Sequence, residues 1–135
     1  MRLVIDTNIF ISALITRDTP PDLLYQAWKQ GLCAVVTSPA QLSEMMRVSA
    51  YDKLQRYFTP ADFQELLTTL DAAAEIVTHL PLVHYSPDPD DNLIIATAIA
   101  GSADYIVSGD KRHMLALKRV ENIGIINIRE ALELF

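Results

Sequence analysis

Four acidic side chains, Asp6, Glu44, Asp91 and Asp110, stand where they could share one divalent cation. Asp6 ends the apolar run Arg2-Leu3-Val4-Ile5, Asp110 closely follows Tyr105-Ile106-Val107, and each stands just ahead of a helical pattern. Both runs read as strands, and ligands of open α/β sheets bind beyond the carboxyl ends of the strands. Carboxylates held within a few ångströms of one another repel and raise at least one pKa unless a cation neutralises them. A hard oxygen donor set without clustered cysteine or histidine selects Mg2+ or Mn2+. Zinc is disfavoured, because His79, His84 and His113 show no ligand spacing.

Each acid taken alone has a plainer role. Asp110 could cap a helix beginning at Lys111, and Asp91 could close a capping box with Asp88. Glu44 could be an ordinary exposed helix glutamate. Asp6, set between apolar Leu3-Val4-Ile5 and Ile9-Phe10-Ile11, is expected to be at least half-buried, and such a carboxylate is rarely left unpaired. Other chemistries find less support. Ser108-Gly109-Asp110-Lys111 lacks the spacing of a phosphate-cradling loop, and neither Cys33 nor the serines belong to a recognisable nucleophile motif.

The elements that must position these acids follow from apolar periodicity and helix punctuation. Strands are expected over 2–6, 32–37, 74–78, 104–108 and 123–127. Helices are expected over 8–16, 20–30, 39–48, 60–73, 89–101, 111–119 and 128–134, with a short one near 50–57. Thr19-Pro20, Ser38-Pro39, Thr59-Pro60 and Asp88-Pro89 each pair a capping side chain with a first-turn proline, and Asn127 repeats the cap without proline. The strands Ala34-Val35-Val36 and Ile123-Gly124-Ile125-Ile126 are continuously apolar, as parallel strands covered on both faces are. The expected fold is a three-layer α/β/α sandwich around a parallel sheet of about five strands, its order reversing between the first and fourth.

With 135 residues, half of them apolar, the chain suits one domain over 1–135. No apolar run reaches membrane-helix length and the start lacks a signal-peptide layout, so a cytoplasmic protein is expected. The lone Cys33 is expected in the core. A net charge of −6 and a pI near 4.9 argue against a broad basic surface that holds nucleic acid. Positive charge gathers locally at Arg47, Lys53 and Arg56 and at Lys111-Arg112-His113 with Lys118-Arg119. The aromatic residues Tyr25, Trp28, Tyr57 and Phe58 would mark a partner surface wherever they remain exposed.

Four segments carry a resemblance: Val4-Ile5-Asp6-Thr7-Asn8, Ser38 through Glu44, Asp91 through Ala98, and Ala103 through Asp110. In this order, and spanning nearly the whole chain, they resemble PIN-domain ribonucleases, and more closely the VapC-like PIN toxins of toxin–antitoxin pairs. The resemblance implies that Asp6, Glu44, Asp91 and Asp110 form an acidic pocket for Mg2+ or Mn2+, supported by Asn8 and Ser108. Asp6, Asp91 and Asp110 would hold the ion. It further implies RNA phosphodiester hydrolysis, a homodimer, and silencing by a cognate antitoxin. Related members often carry a further acid shortly after the fourth motif; here Arg112 and His113 stand there, and Lys111 with Arg112 are candidates for RNA phosphate contacts.

Two other readings stay open. Aspartate-nucleophile phosphohydrolases also place an aspartate after the first strand, but they want a second two residues on, where this chain has Asn8. A catalytically weak PIN-like interaction module would keep the fold without turnover. A phosphoacceptor receiver needs a lysine after the last strand, where Asn127-Ile128-Arg129 stands instead.

Overall fold

A computed structural model describes all residues, 1–135. Its centre is a six-stranded sheet in the order β3-β2-β1-β4-β6-β5. The strands are β1 (Arg2–Ile5), β2 (Ala34–Thr37), β3 (Glu75–Ile76), β4 (Tyr105–Val107), β5 (Arg119–Val120) and β6 (Ile123–Ile126). Five run parallel, and only the β5–β6 pair is antiparallel. The helices are α1 (Thr7–Ile15), α2 (Pro20–Lys29), α3 (Pro39–Ser49), α4 (Pro60–Ala73), α5 (Pro89–Ala100), α6 (Met114–Leu117) and α7 (Ile128–Leu132).

The strands are apolar along their whole length because each side of the sheet has its own core. Leu3 and Ile5 of β1 pack with Phe10, Leu24, Trp28, Met45, Leu66 and Leu70 beneath α1 to α4. Val4, between them, points the other way, into Ile94, Ile95, Ala98, Ile106 and Met114 of α5, β4 and α6. This period of two is the ordinary strand alternation, hidden in the sequence because both faces are covered. Cys33 is buried in the first of these cores, where burial pushes its thiol pKa up.

Helix starts follow their punctuation, with one exception. Thr59 and Asp62 form a complete capping box on α4, as do Asn127 and Glu130 on α7; Ser38 accepts from the Gln41 amide on α3. Thr19 makes no side-chain cap on α2; its hydroxyl bonds Thr16 at 2.7 Å.

Two expected helices are corrected. Residues 50–57 form successive turns rather than a helix, with i to i+3 bonds such as Leu54 N to Tyr51 O at 2.9 Å and Tyr57 N to Leu54 O at 3.0 Å. The helix expected over 111–119 shrinks to Met114–Leu117. Asp110 binds the amides that would open it, and Lys118 turns the chain at φ 63°, freeing Arg119–Val120 to join the sheet as its sixth strand.

The strand order reverses between β1 and β4, the expected switch point. From β1 the chain moves through α1 and α2 to β2 on one side, whereas β4 pairs on the other side of β1. A crevice opens there beyond the carboxyl ends of the strands.

Candidate active site

The register of β1 on β4 pairs Ile5 with Val107, so the next residues, Asp6 and the buried Ser108, leave the sheet side by side. The Asp6 amide donates to Val107 O at 2.9 Å, and Ser108 Oγ donates to Asp6 Oδ2 at 3.0 Å. Asp6 sits at the N-cap of α1 yet makes no side-chain capping bond, so its carboxylate is free to face the crevice. Burial raises its pKa and the Asp91 charge adds to this, against the lowering effect of the Ser108 bond.

Ser108 serves a second acid. Its Oγ accepts the Asp110 amide at 3.1 Å, while Asp110 Oδ1 accepts from the amides of Arg112 at 3.0 Å and His113 at 3.3 Å. The capping role expected for Asp110 is therefore real, on the turn that leads into α6.

Asp91 is only 8% exposed and does not join the expected capping box. Asp88 caps α5 through the Asp90 amide at 2.9 Å, and Asp91 Oδ2 instead accepts from Ser86 Oγ at 2.8 Å. Ser86 is itself pinned to Asn92 by two bonds, Ser86 N to Asn92 Oδ1 at 2.9 Å and Asn92 Nδ2 to Ser86 O at 2.8 Å. Burial raises the Asp91 pKa, opposed by the Ser86 bond and by His113, and reinforced by Asp88 and Asp110.

Glu44, for which an ordinary exposed helix position was the plainer alternative, is buried. A polar network fixes the helix that carries it. One turn before it, Gln41 is wholly buried, donates to Ile5 O at 2.7 Å and accepts from the Thr37 hydroxyl at 2.7 Å. Ser38, at the start of α3, bonds Thr97 of α5 at 2.9 Å. Glu44 Oε2 and the neighbouring Thr7 hydroxyl are both buried without a well-formed hydrogen bond. Burial raises the Glu44 pKa, the Thr7 hydroxyl lowers it, and Asp90 and Asp6 raise it further.

The four acids and Asn8 line one cleft of about 500 Å3, together with Asp88, Asp90, Tyr51 and Lys53. Arg47 pairs with Asp90 at 3.3 Å, an exposed contact of little energetic weight. Ser108 lies behind the cleft, and the exposed Lys111 and Arg112 do not line it. Sequence reasoning missed Ser86, Thr7 and Lys53 as members of this constellation. Ser86 stands in the loop before Asp91 and Thr7 directly follows Asp6, but only the fold reveals which acid each one faces.

The PIN-domain family model matches residues 2–112. The chain belongs to the PIN-domain family. Members of this family are generally nucleases, and they typically use divalent metal ions. An uncharacterized protein of Methanocaldococcus jannaschii is 30% identical over 112 residues, covering 82% of this chain and 72% of the relative. Among solved structures, VapBC2 from Rickettsia felis, bound to a DNA fragment from their promoter, contains a chain with the same PIN fold. It aligns at a TM-score of 0.57 and 21% identity, over 94% of this chain and 98% of that one. The PIN match takes in Asp6, Glu44, Asp91 and Asp110 alike.

Proposed function

We propose that this PIN-domain protein is a Mg2+- or Mn2+-dependent endoribonuclease and the toxin of a toxin–antitoxin pair. The observation that carries the reading is the convergence of Asp6, Glu44, Asp91 and Asp110, from four separate segments, on one cleft. Desolvation and mutual repulsion raise the pKa of three of them, a cost that a bound cation would offset.

The donor set fits such an ion. It is all hard oxygen, and Glu44 Oε2 is buried with a lone pair unspent. The side chains do not close into an all-protein cage of three or more ligands, and Mg2+ needs none, since it keeps several waters and takes one or two carboxylates. Asp6, Asp91 and Asp110 would hold the ion directly or through water. When bound, it supplies charge stabilisation to the pentavalent phosphate and a lowered pKa to a coordinated water.

The remaining chemistry belongs to the chain. Ser108 and Ser86 orient Asp6 and Asp91 through their hydroxyls, as outer partners of metal ligands do. Glu44, with its proton affinity raised by burial, is suited to orient the attacking water and accept its proton. Asn8 stands exposed at the cleft as a polar contact to substrate, and Lys111 with Arg112, on the turn after Asp110, would meet flanking phosphates.

RNA as substrate and an antitoxin as partner rest on the likeness to VapC-like toxins. The Rickettsia felis structure is described as a VapBC2 assembly, which supports a partner of that kind here. A homodimer acting in the cytoplasm completes the proposal; no helix is long and apolar enough to cross a membrane. Soaking crystals in Mn2+ tests the site: anomalous density in the cleft beside Asp6 and Asp110 is expected, and a cleft without density at high Mn2+ contradicts it.

A further inference from the structure

We propose that the turns over residues 51–57, between α3 and α4, form a binding platform for single-stranded RNA at the mouth of the cleft. Tyr51 and Tyr57 are its stacking surfaces, and Lys53 and Arg56 its phosphate contacts. The inference deepens the ribonuclease reading and rests on it for the nature of the ligand.

The cleft is lined by six carboxylates, Asp6, Glu44, Asp88, Asp90, Asp91 and Asp110, in a chain of net charge −6. A polyanion needs local cations to settle there, and Lys53 is the one cation on the cleft wall. Arg47, nearby, is already paired with Asp90.

Tyr51 and Tyr57 are 44% and 52% exposed, and the Arg56 guanidinium lies 5.5 Å from the centre of the Tyr57 ring. Two exposed rings, Tyr51 and Tyr57, bracket two exposed cations, Lys53 and Arg56, against the single carboxylate of Asp52; proteins hold unpaired strands with such sets, bases stacking on the rings while cations track the backbone. The turns are held in place from beneath. Phe58 is buried against Phe63 with ring centres 6.3 Å apart, and half-buried Leu54 joins Tyr51 and Lys53 on the cleft wall. Stacking on single rings requires bases free of a duplex, so the platform selects single strands.

The test is fluorescence anisotropy with a labelled 12-nucleotide single-stranded RNA and Asp6→Asn protein in Mg2+, at several salt concentrations. Tyr51→Ala and Tyr57→Ala are each expected to weaken binding ~5-fold or more, the scale of losing one base–aromatic stack, while the phenylalanine variants retain affinity. Lys53→Gln and Arg56→Gln should each flatten the log–log salt dependence by ~0.7, the value for one phosphate contact on a single strand. Unchanged affinity and salt slope in all four variants would overturn the platform, including the case in which these tyrosines dock a protein instead. Cleavage by the otherwise unmodified protein reads the parent hypothesis separately. Its absence alongside tyrosine-dependent binding would sink the nuclease and spare the platform; its presence with tyrosine-independent binding would do the reverse.

Discussion

Ser108 and Asp6, 102 residues apart in the chain, meet through a 3.0 Å hydrogen bond from the serine hydroxyl to the carboxylate. The same hydroxyl accepts the Asp110 amide, so one buried oxygen orients two acids on adjacent strand ends. Ser108→Ala is therefore expected to lower kcat/KM by ~10- to 100-fold, the usual cost of losing an outer partner of a metal site, with the fold retained. Kinetics on a labelled RNA, with circular dichroism as the folding control, check this; unchanged kcat/KM would mean the bond is only structural.

The acids also make the site a liability for the folded state. Burial above all holds Asp6 protonated to higher pH than its ordinary value of 3.8, and Glu44 above its ordinary 4.5. With these pKa values raised on folding, the native protein binds more protons than the unfolded chain. Their contribution is then fully present below the unfolded values and is lost as pH rises through the folded ones. Urea midpoints of the metal-free protein should show Asp6→Asn gaining on the unmodified chain as pH rises above the ordinary value of 3.8. Added Mn2+ should restore the unmodified chain by binding only its folded form. A gap that narrows with rising pH would contradict the assignment.

Gln41 holds α3 to β1 and β2 through Ile5 O and the Thr37 hydroxyl, one turn from Glu44. Gln41→Ala leaves both groups buried without partners, and a loss of about 1–3 kcal/mol in unfolding free energy is expected. Activity should fall further than stability predicts, because Glu44 loses its anchored helix. Urea titration and single-turnover rates on the same preparation separate the two effects.

Gly101 ends α5 where a Cβ would overlap Val36 on β2. Its φ of −91° is open to any residue, so the constraint is space alone. Gly101→Ala should cost about 1–3 kcal/mol of stability through overpacking, measured by chemical denaturation, with Val36→Ala in the same chain recovering part of it.

Much of the scaffold was legible because local rules and tertiary contacts agree. Pro60–Ala73 is helical over its expected span, closed by the Thr59–Asp62 box, and the strand reversal lies between the first and fourth strands as expected. Where local pattern and tertiary demand diverged, the sequence misled. Residues 50–57 have helix-like composition, but their amides close into separate turns; the amides of Arg112 and His113 are taken up by the carboxylate of Asp110. At the site, Asp6 was readable because a carboxylate after three apolar residues is hard to explain otherwise. Glu44 was named only through its segment, Ser38 through Glu44; its burial was not legible, because α3 is held against β1 by Gln41 donating to Ile5 O. Ser86 was invisible because its bond to Asp91 is set by closure of the loop before α5, and Thr7 because its hydroxyl comes beside Glu44 only when α3 lies against α1.

The central claim is that these four acids cut RNA with a divalent ion. The most direct measurement is cleavage of a 5′-labelled permissive RNA with and without Mn2+, by the unmodified protein and by Asp6→Asn, both verified as folded. Mn2+-dependent cleavage that EDTA stops, reduced at least ~100-fold in Asp6→Asn, is the predicted result. Equal cleavage by both proteins, or cleavage indifferent to EDTA, would contradict it.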